Sequence, residues 1–240
     1  MIEPLTRTRA GHRSRPRLGL QLLTALALFD LLGCAPMWQR VRENERAYAA
    51  SQAHTELERG QWRDALASLD RAQARLDLGS YARKSTLARI RCYEGLELRS
   101  LSRAHHRLIQ DFYTGEKQAL PEADGSSIFR VPDRNLAHYE PPPSWLAIPS
   151  PRYSPYARRS KIVGRVVVGF ALGKNGRPTR LRVLEMPHPL LASWALEALA
   201  ASEPDDEGER QALMPGGHYV TTFRFHWHWA EENEGEGEGS

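Results

Sequence analysis

Residues 218–229 hold the feature that most restricts the fold. Tyr219, Thr221, Phe223, Phe225, Trp227 and Trp229 recur at every second position, with Val220, Thr222, Arg224, His226 and His228 between them. A period of two is the side-chain repeat of a β-strand, and part of this aromatic set must form a core. Sheet partners are legible upstream. Val166, Val168, Phe170 and Leu172 share one face of a second strand, and Leu181 and Val183 continue that face on a third. Asn175-Gly176 between them predicts a tight hairpin built on positive-φ residues. Pro187 and Pro189 end the third strand, because neither offers a ladder N–H. Leu190, Leu191, Trp194, Ala195, Ala198 and Leu199 then recur at helical spacing, a stripe that can cover one sheet face. Hairpin, helix and strand in that order predict an α+β layer domain with a small antiparallel three-stranded sheet.

That segment, residues 151–229, resembles the C-terminal domain of the TonB family of periplasmic energy transducers. The resemblance is carried by a lead-in (Pro151, Tyr153, Ala157), a first strand (Gly164, Val166, Val168, Phe170), a Gly176-Arg177 turn, and the order of helix and last strand. Two positions depart from the family pattern. Ser154 stands where a proline usually follows the tyrosine, and the helix exit at Ala201–Gly208 lacks the usual aromatic-rich segment. The resemblance implies a non-enzymatic binding protein facing the periplasm. It also implies that the last strand, Tyr219, Val220, Thr221, Thr222, Phe223, Arg224, Phe225, His226 and Trp227, accepts an extended peptide from outer-membrane receptors or other envelope proteins. Pro151, Arg152 and Tyr153 would flank the same groove. An edge strand offers unpaired N–H and C=O groups for such addition, and the same groups allow a homodimer.

The front of the chain reads as equipment for placing this domain. In residues 1–34, Arg7, Arg9, Arg13, Arg15 and Arg17 precede an apolar run from Leu18 to Gly33. The run is short against the roughly 20 residues that cross a bilayer. Its end, Leu31-Leu32-Gly33-Cys34, resembles a bacterial lipobox, which implies lipidation of Cys34 and a membrane-anchored lipoprotein in the bacterial envelope. An uncleaved anchor and ordinary signal-peptide cleavage are the alternatives. Only an anchor would permit a working transducer, since coupling to proton-motive force requires a membrane helix.

Residues 37–112 are rich in Ala, Leu, Arg and Glu and read as a helical module. Gly60, Trp62, Ala65 and Ala72 resemble the turn and second helix of a tetratricopeptide repeat, so an envelope scaffold acting through these helices is the alternative function. A plain helical spacer is equally compatible with the pattern. Residues 113–150 read as a proline-containing linker, with Glu140-Pro141-Pro142-Pro143 at its centre, and residues 230–240 as a disordered acidic tail.

Composition narrows the remaining classes. The formal net charge is +4, but setting aside the five arginines and two acids of residues 1–33 leaves bases and acids nearly balanced. The charge therefore does not indicate nucleic-acid binding. Cys34 and Cys92 are the only cysteines, so lipidation of Cys34 would leave Cys92 as a buried small apolar residue. No arrangement of Ser, His, Asp or Cys indicates catalysis, and no cofactor is implied. His226 and His228, with His218 or His188, have no diagnostic metal spacing and read as solvated strand residues; His105 and His106, on a helix, likewise read as solvated side chains and not as ligands.

Overall fold

Helix-forming residues dominate the front half, and its described residues fold as helices as far as Thr114. The computed structural model describes residues 17–73, 80–114, 118–121, 127–131, 138–204 and 217–226. It divides into two compact units, residues 1–44 and 45–240. Helix α1 spans Arg17–Glu58, and Cys34 lies on it. No helix among the described residues is long and apolar enough to cross a membrane.

In the second unit, α2 (Trp62–Ala72), α3 (Ser80–Gly95) and α4 (Arg99–Ile109) follow, and a π-helical turn, Gln110–Thr114, ends the last of them. Ala53, Leu57, Ala65, Leu69 and Cys92 make a small core among the helices. Cys92 is fully buried there, and burial pushes its thiol up to about 11, so it serves as a small apolar residue.

Strands β1 (Gln118–Pro121), β2 (Ser127–Arg130) and β3 (Leu146–Ala147) come next, then the short helix α5 (Pro155–Arg159). The domain continues with β4 (Gly164–Leu172), β5 (Pro178–Met186), α6 (Pro189–Ala200), β6 (Glu203–Pro204) and β7 (His218–Phe225). The main sheet has the order β1-β2-β5-β4-β7, and all its pairs are antiparallel. The α+β architecture with an antiparallel sheet and helix is therefore present. Strands β5, β4 and β7 are the three legible in the sequence. Strands β1 and β2, from the stretch that reads as a linker, extend the sheet to five.

The β4–β5 connection is looser than a two-residue hairpin. It spans residues 173–177, with Gly173 N–H donating to Arg177 O at 2.9 Å. Only Gly176, at φ +71°, takes the left-handed conformation. The Asn175 side chain instead accepts from Arg177 N–H at 3.2 Å.

The apolar faces meet α6 as expected, but α6 is buried almost all round, not on one stripe alone. Its second face is covered by α4. Tyr93, Leu101, Ala104, Leu108 and Phe112 of the helical region join Val166, Val168, Phe170, Leu181, Val183, Trp194 and Phe225 in one core. Each large apolar side chain fully buried in such a core contributes about 1.5–3 kcal/mol. His188 caps α6, its Nδ1 accepting from Leu190 N–H at 3.1 Å, and Pro189 starts the helix with its preset φ.

Candidate functional site

Strand β7 is the last strand of the sheet and pairs with β4 from Gly164↔Phe225 to Ala171↔His218. Tyr219, Phe223 and Phe225 are buried, opposite Phe170, Val166 and Gly164. Thr222 and Arg224 are exposed, while Val220 and Thr221 are half-buried. The backbone groups of a strand alternate in the plane of the sheet as its side chains alternate across it. His218, Val220, Thr222 and Arg224 therefore turn their N–H and C=O groups outward, away from β4.

Half of that margin is already occupied. Glu140 N–H donates to His218 O at 2.8 Å, and Val220 N–H donates to Glu140 O at 2.9 Å. This is a single parallel bridge between Glu140 and Tyr219. Its neighbour Tyr139 lies over Gly169, where a Cβ would come within 2.7 Å of the ring, and also contacts the His218 ring at 5.8 Å. Glycine at position 169 is what lets the aromatic ring approach the sheet. Beyond Val220, no backbone group among the described residues pairs with the outward side of Thr222 or Arg224.

The lead-in residues are placed differently. Pro151 is half-buried. The Tyr153 ring packs edge-on against Trp194 and Phe225, at 6.3 and 5.7 Å, and its hydroxyl donates to Ile162 O at 2.8 Å. Partial burial raises its pKa. Tyr153 thus supports β7 from the core side. Ser154 caps α5, its hydroxyl accepting from Ala157 N–H.

Arg152 reaches Glu197 Oε2 at 2.8 Å and Asp70 Oδ2 at 3.1 Å, with its guanidinium 5.8 Å from the Trp194 ring. Asp70 also pairs with Arg89 and accepts from Trp194 Nε1 at 3.3 Å. Tyr93 completes the group by donating to Glu197 at 2.6 Å. Arg89 is completely buried. Burial alone disfavours its charge, but Asp70 beside it outweighs that and raises its pKa. Nearby, His105 is buried against Tyr93; its Nδ1–H donates to Leu101 O at 2.9 Å, and its Nε2 accepts from Ser193 at 3.0 Å. Burial lowers its pKa to about 3, so it is neutral. These contacts lock α2, α3 and α4 to α6.

Residues 149–215 match the family model of the Gram-negative bacterial TonB protein C-terminal. This segment is similar to the TonB C-terminal domain. The match takes in the lead-in, α5, β4, β5 and α6, and ends before β7 begins. No curated protein and no solved structure matches the chain.

Within and beside this TonB-type domain, the structure separates residues that the sequence groups together. Thr222 and Arg224 lie on the open margin, whereas Tyr219, Phe223 and Phe225 lie in the core; Trp227 falls outside the described residues. Arg152 and Tyr153 face the helix–sheet junction. Tyr139 and Glu140 were not legible as site residues, because a single bridged residue before three prolines has no periodicity. Asp70 and Arg89 belong to none of the motifs or stripes named in the sequence. The signal for them was Trp194, an indole N–H inside an apolar helix that needs an acceptor.

Proposed function

We propose that this is a membrane-anchored, periplasm-facing binding protein of the TonB-like class. It contacts outer-membrane receptors or other envelope proteins by adding an extended peptide to β7, and it has no catalysis of its own. The observation that carries this reading is the open margin at Thr222 and Arg224 on a terminal strand whose other side is fixed in a core. Backbone pairing supplies the affinity in such an addition, and alternate side chains supply the specificity. The bridge at Glu140 restricts the accepting stretch to the C-terminal half of β7. Anchoring through a lipid on Cys34 fits the lipobox-like sequence and belongs to the same proposal. An open margin is also the surface through which two copies would pair.

Amide hydrogen exchange on the full chain tests this reading. With box peptides from outer-membrane receptors of the same organism, the outward amides of Thr222 and Arg224 should gain protection. Thr221 and Phe223, already paired with β4, should change little. Unchanged exchange at Thr222 and Arg224 under saturating peptide would sink the reading.

The alternative, a scaffold acting through the helices, is favoured by one feature. A cavity of about 420 Å³ opens between the helices and α6, lined by Leu66, Tyr93, Leu96, Leu98 and Leu101. Leu98 is exposed at its rim.

A further inference from the structure

A row of charged side chains crosses the sheet on the face that alternates with the core residues of β4 and β7. Arg130 of β2 stands opposite Glu185 of β5, and Arg165 of β4 stands opposite Arg224 of β7. Glu185 is almost fully buried and pairs with both Arg130 and Arg165, the latter at 3.3 Å. One carboxylate therefore serves two guanidiniums. Arg165 is still not saturated, because its Nε is buried without an acceptor among the described residues. Arg224 adds a third cation directly across from Arg165, and like charges at opposed strand positions repel. Among the described residues Arg224 has no acidic partner. The order of signs from β2 outward is plus, minus, plus, plus, and the row ends at the open half of the margin.

We propose that this half of β7 selects an extended peptide carrying an acidic side chain at the position opposite Arg224. The proposal rests on the reading of β7 as a peptide acceptor and adds the chemistry of what it accepts. A residue paired opposite Arg224 on an added strand points its side chain to the same sheet face. A carboxylate there continues the alternation of sign and provides charge-assisted hydrogen bonds to a guanidinium that stands across from another cation and has no acidic partner among the described residues. A neutral side chain at that position leaves the Arg165–Arg224 repulsion in place. Backbone pairing then holds the peptide, and the carboxylate sets its register.

The test is fluorescence anisotropy on the full chain with labelled, capped Val/Thr hexapeptides. A single Glu is moved along the hexamer, and each peptide is compared with its Gln counterpart. At one position the Glu peptide should bind about fivefold to tenfold tighter than the Gln peptide. In the Arg224→Gln variant, whose exposed position leaves the core intact, that ratio should fall to near one while the Gln peptide binds as before. Raising salt from about 50 to about 500 mM should shrink the ratio in the unmodified chain. Equal binding of Glu and Gln peptides at every position would overturn acid selection and leave strand addition standing. Failure of every peptide to bind, with or without residues 230–240, would overturn strand addition and this proposal with it. Binding of the Glu peptide only after removal of residues 230–240 would also overturn it, because the carboxylate opposite Arg224 would then come from the chain's own acidic tail.

Discussion

Two of the contacts that tie upstream chain to the TonB-type domain are built from different materials. The helix–sheet seam is made of side chains: Asp70, Arg89, Tyr93, Glu197 and Trp194, buried or nearly so, with Arg152 closing the rim. The margin of β7 is made of backbone: two hydrogen bonds to the exposed residue Glu140, with one aromatic ring laid over Gly169. A buried charged group cannot leave its partner without a large penalty, because the remaining charge stays in a poor solvent. A backbone bond at an exposed edge exchanges for water or for another strand at little net cost. The seam therefore fixes the helices to the sheet, and the margin is the part that can change partners.

This contrast can be broken at either side. The largest effect is expected from Arg89→Ala, which removes the buried cation beside Asp70, leaves that carboxylate only Arg152 and the Trp194 indole, and should lower stability by about 3–5 kcal/mol in urea unfolding. A loss below about 1 kcal/mol would mean the seam is no firmer than a surface pair. His105 gives a pH-dependent version of the same comparison. Its folded pKa of about 3 lies below its ordinary 6.5, first through burial and then through nearby Arg89 and His106, with the bond to Leu101 O opposing. The unfolded chain therefore takes up the proton first. Its contribution is complete above pH 6.5 and is lost as pH falls toward 3, at up to roughly 1.4 kcal/mol per unit. Urea midpoints between pH 7 and pH 4 should show this slope, and His105→Asn should flatten it.

The smallest effect is expected at the margin. Glu140→Pro removes the N–H that binds His218 O, at a cost of about 0.5–1.5 kcal/mol. It should speed exchange of the Val220 amide and tighten receptor-peptide binding severalfold. A stability loss as large as that of Arg89→Ala would show that the two contacts do not differ in kind.

The parts of the fold with a repeat were legible in the sequence. Alternation marked β4 and β7, and a helical stripe marked α6, because a buried face imposes its period on the residues that line it. The prolines after β5 ended that strand as read. The positive-φ turn was half legible: Gly176 adopts it, while Asn175 contributes through its side chain. Strands β1 and β2 gave no such signal, being four residues each with little alternation. The candidate site divided along the same line. The strand was visible, but the bridge at Glu140 rests on main-chain atoms that every residue possesses. The Arg165–Arg224 opposition depends on register, which no single strand's sequence carries.

The prolines that follow Glu140 have a further consequence. The bridge at Tyr219 is parallel, so the chain leaving Glu140 heads along β7 toward Thr222 and Arg224. There it meets Pro141, Pro142 and Pro143, three residues without an amide hydrogen to donate. The zipper catches one tooth and can close no further. A polypeptide that would otherwise heal its own raw edge is held back from doing so, and the unhealed length is kept for something else.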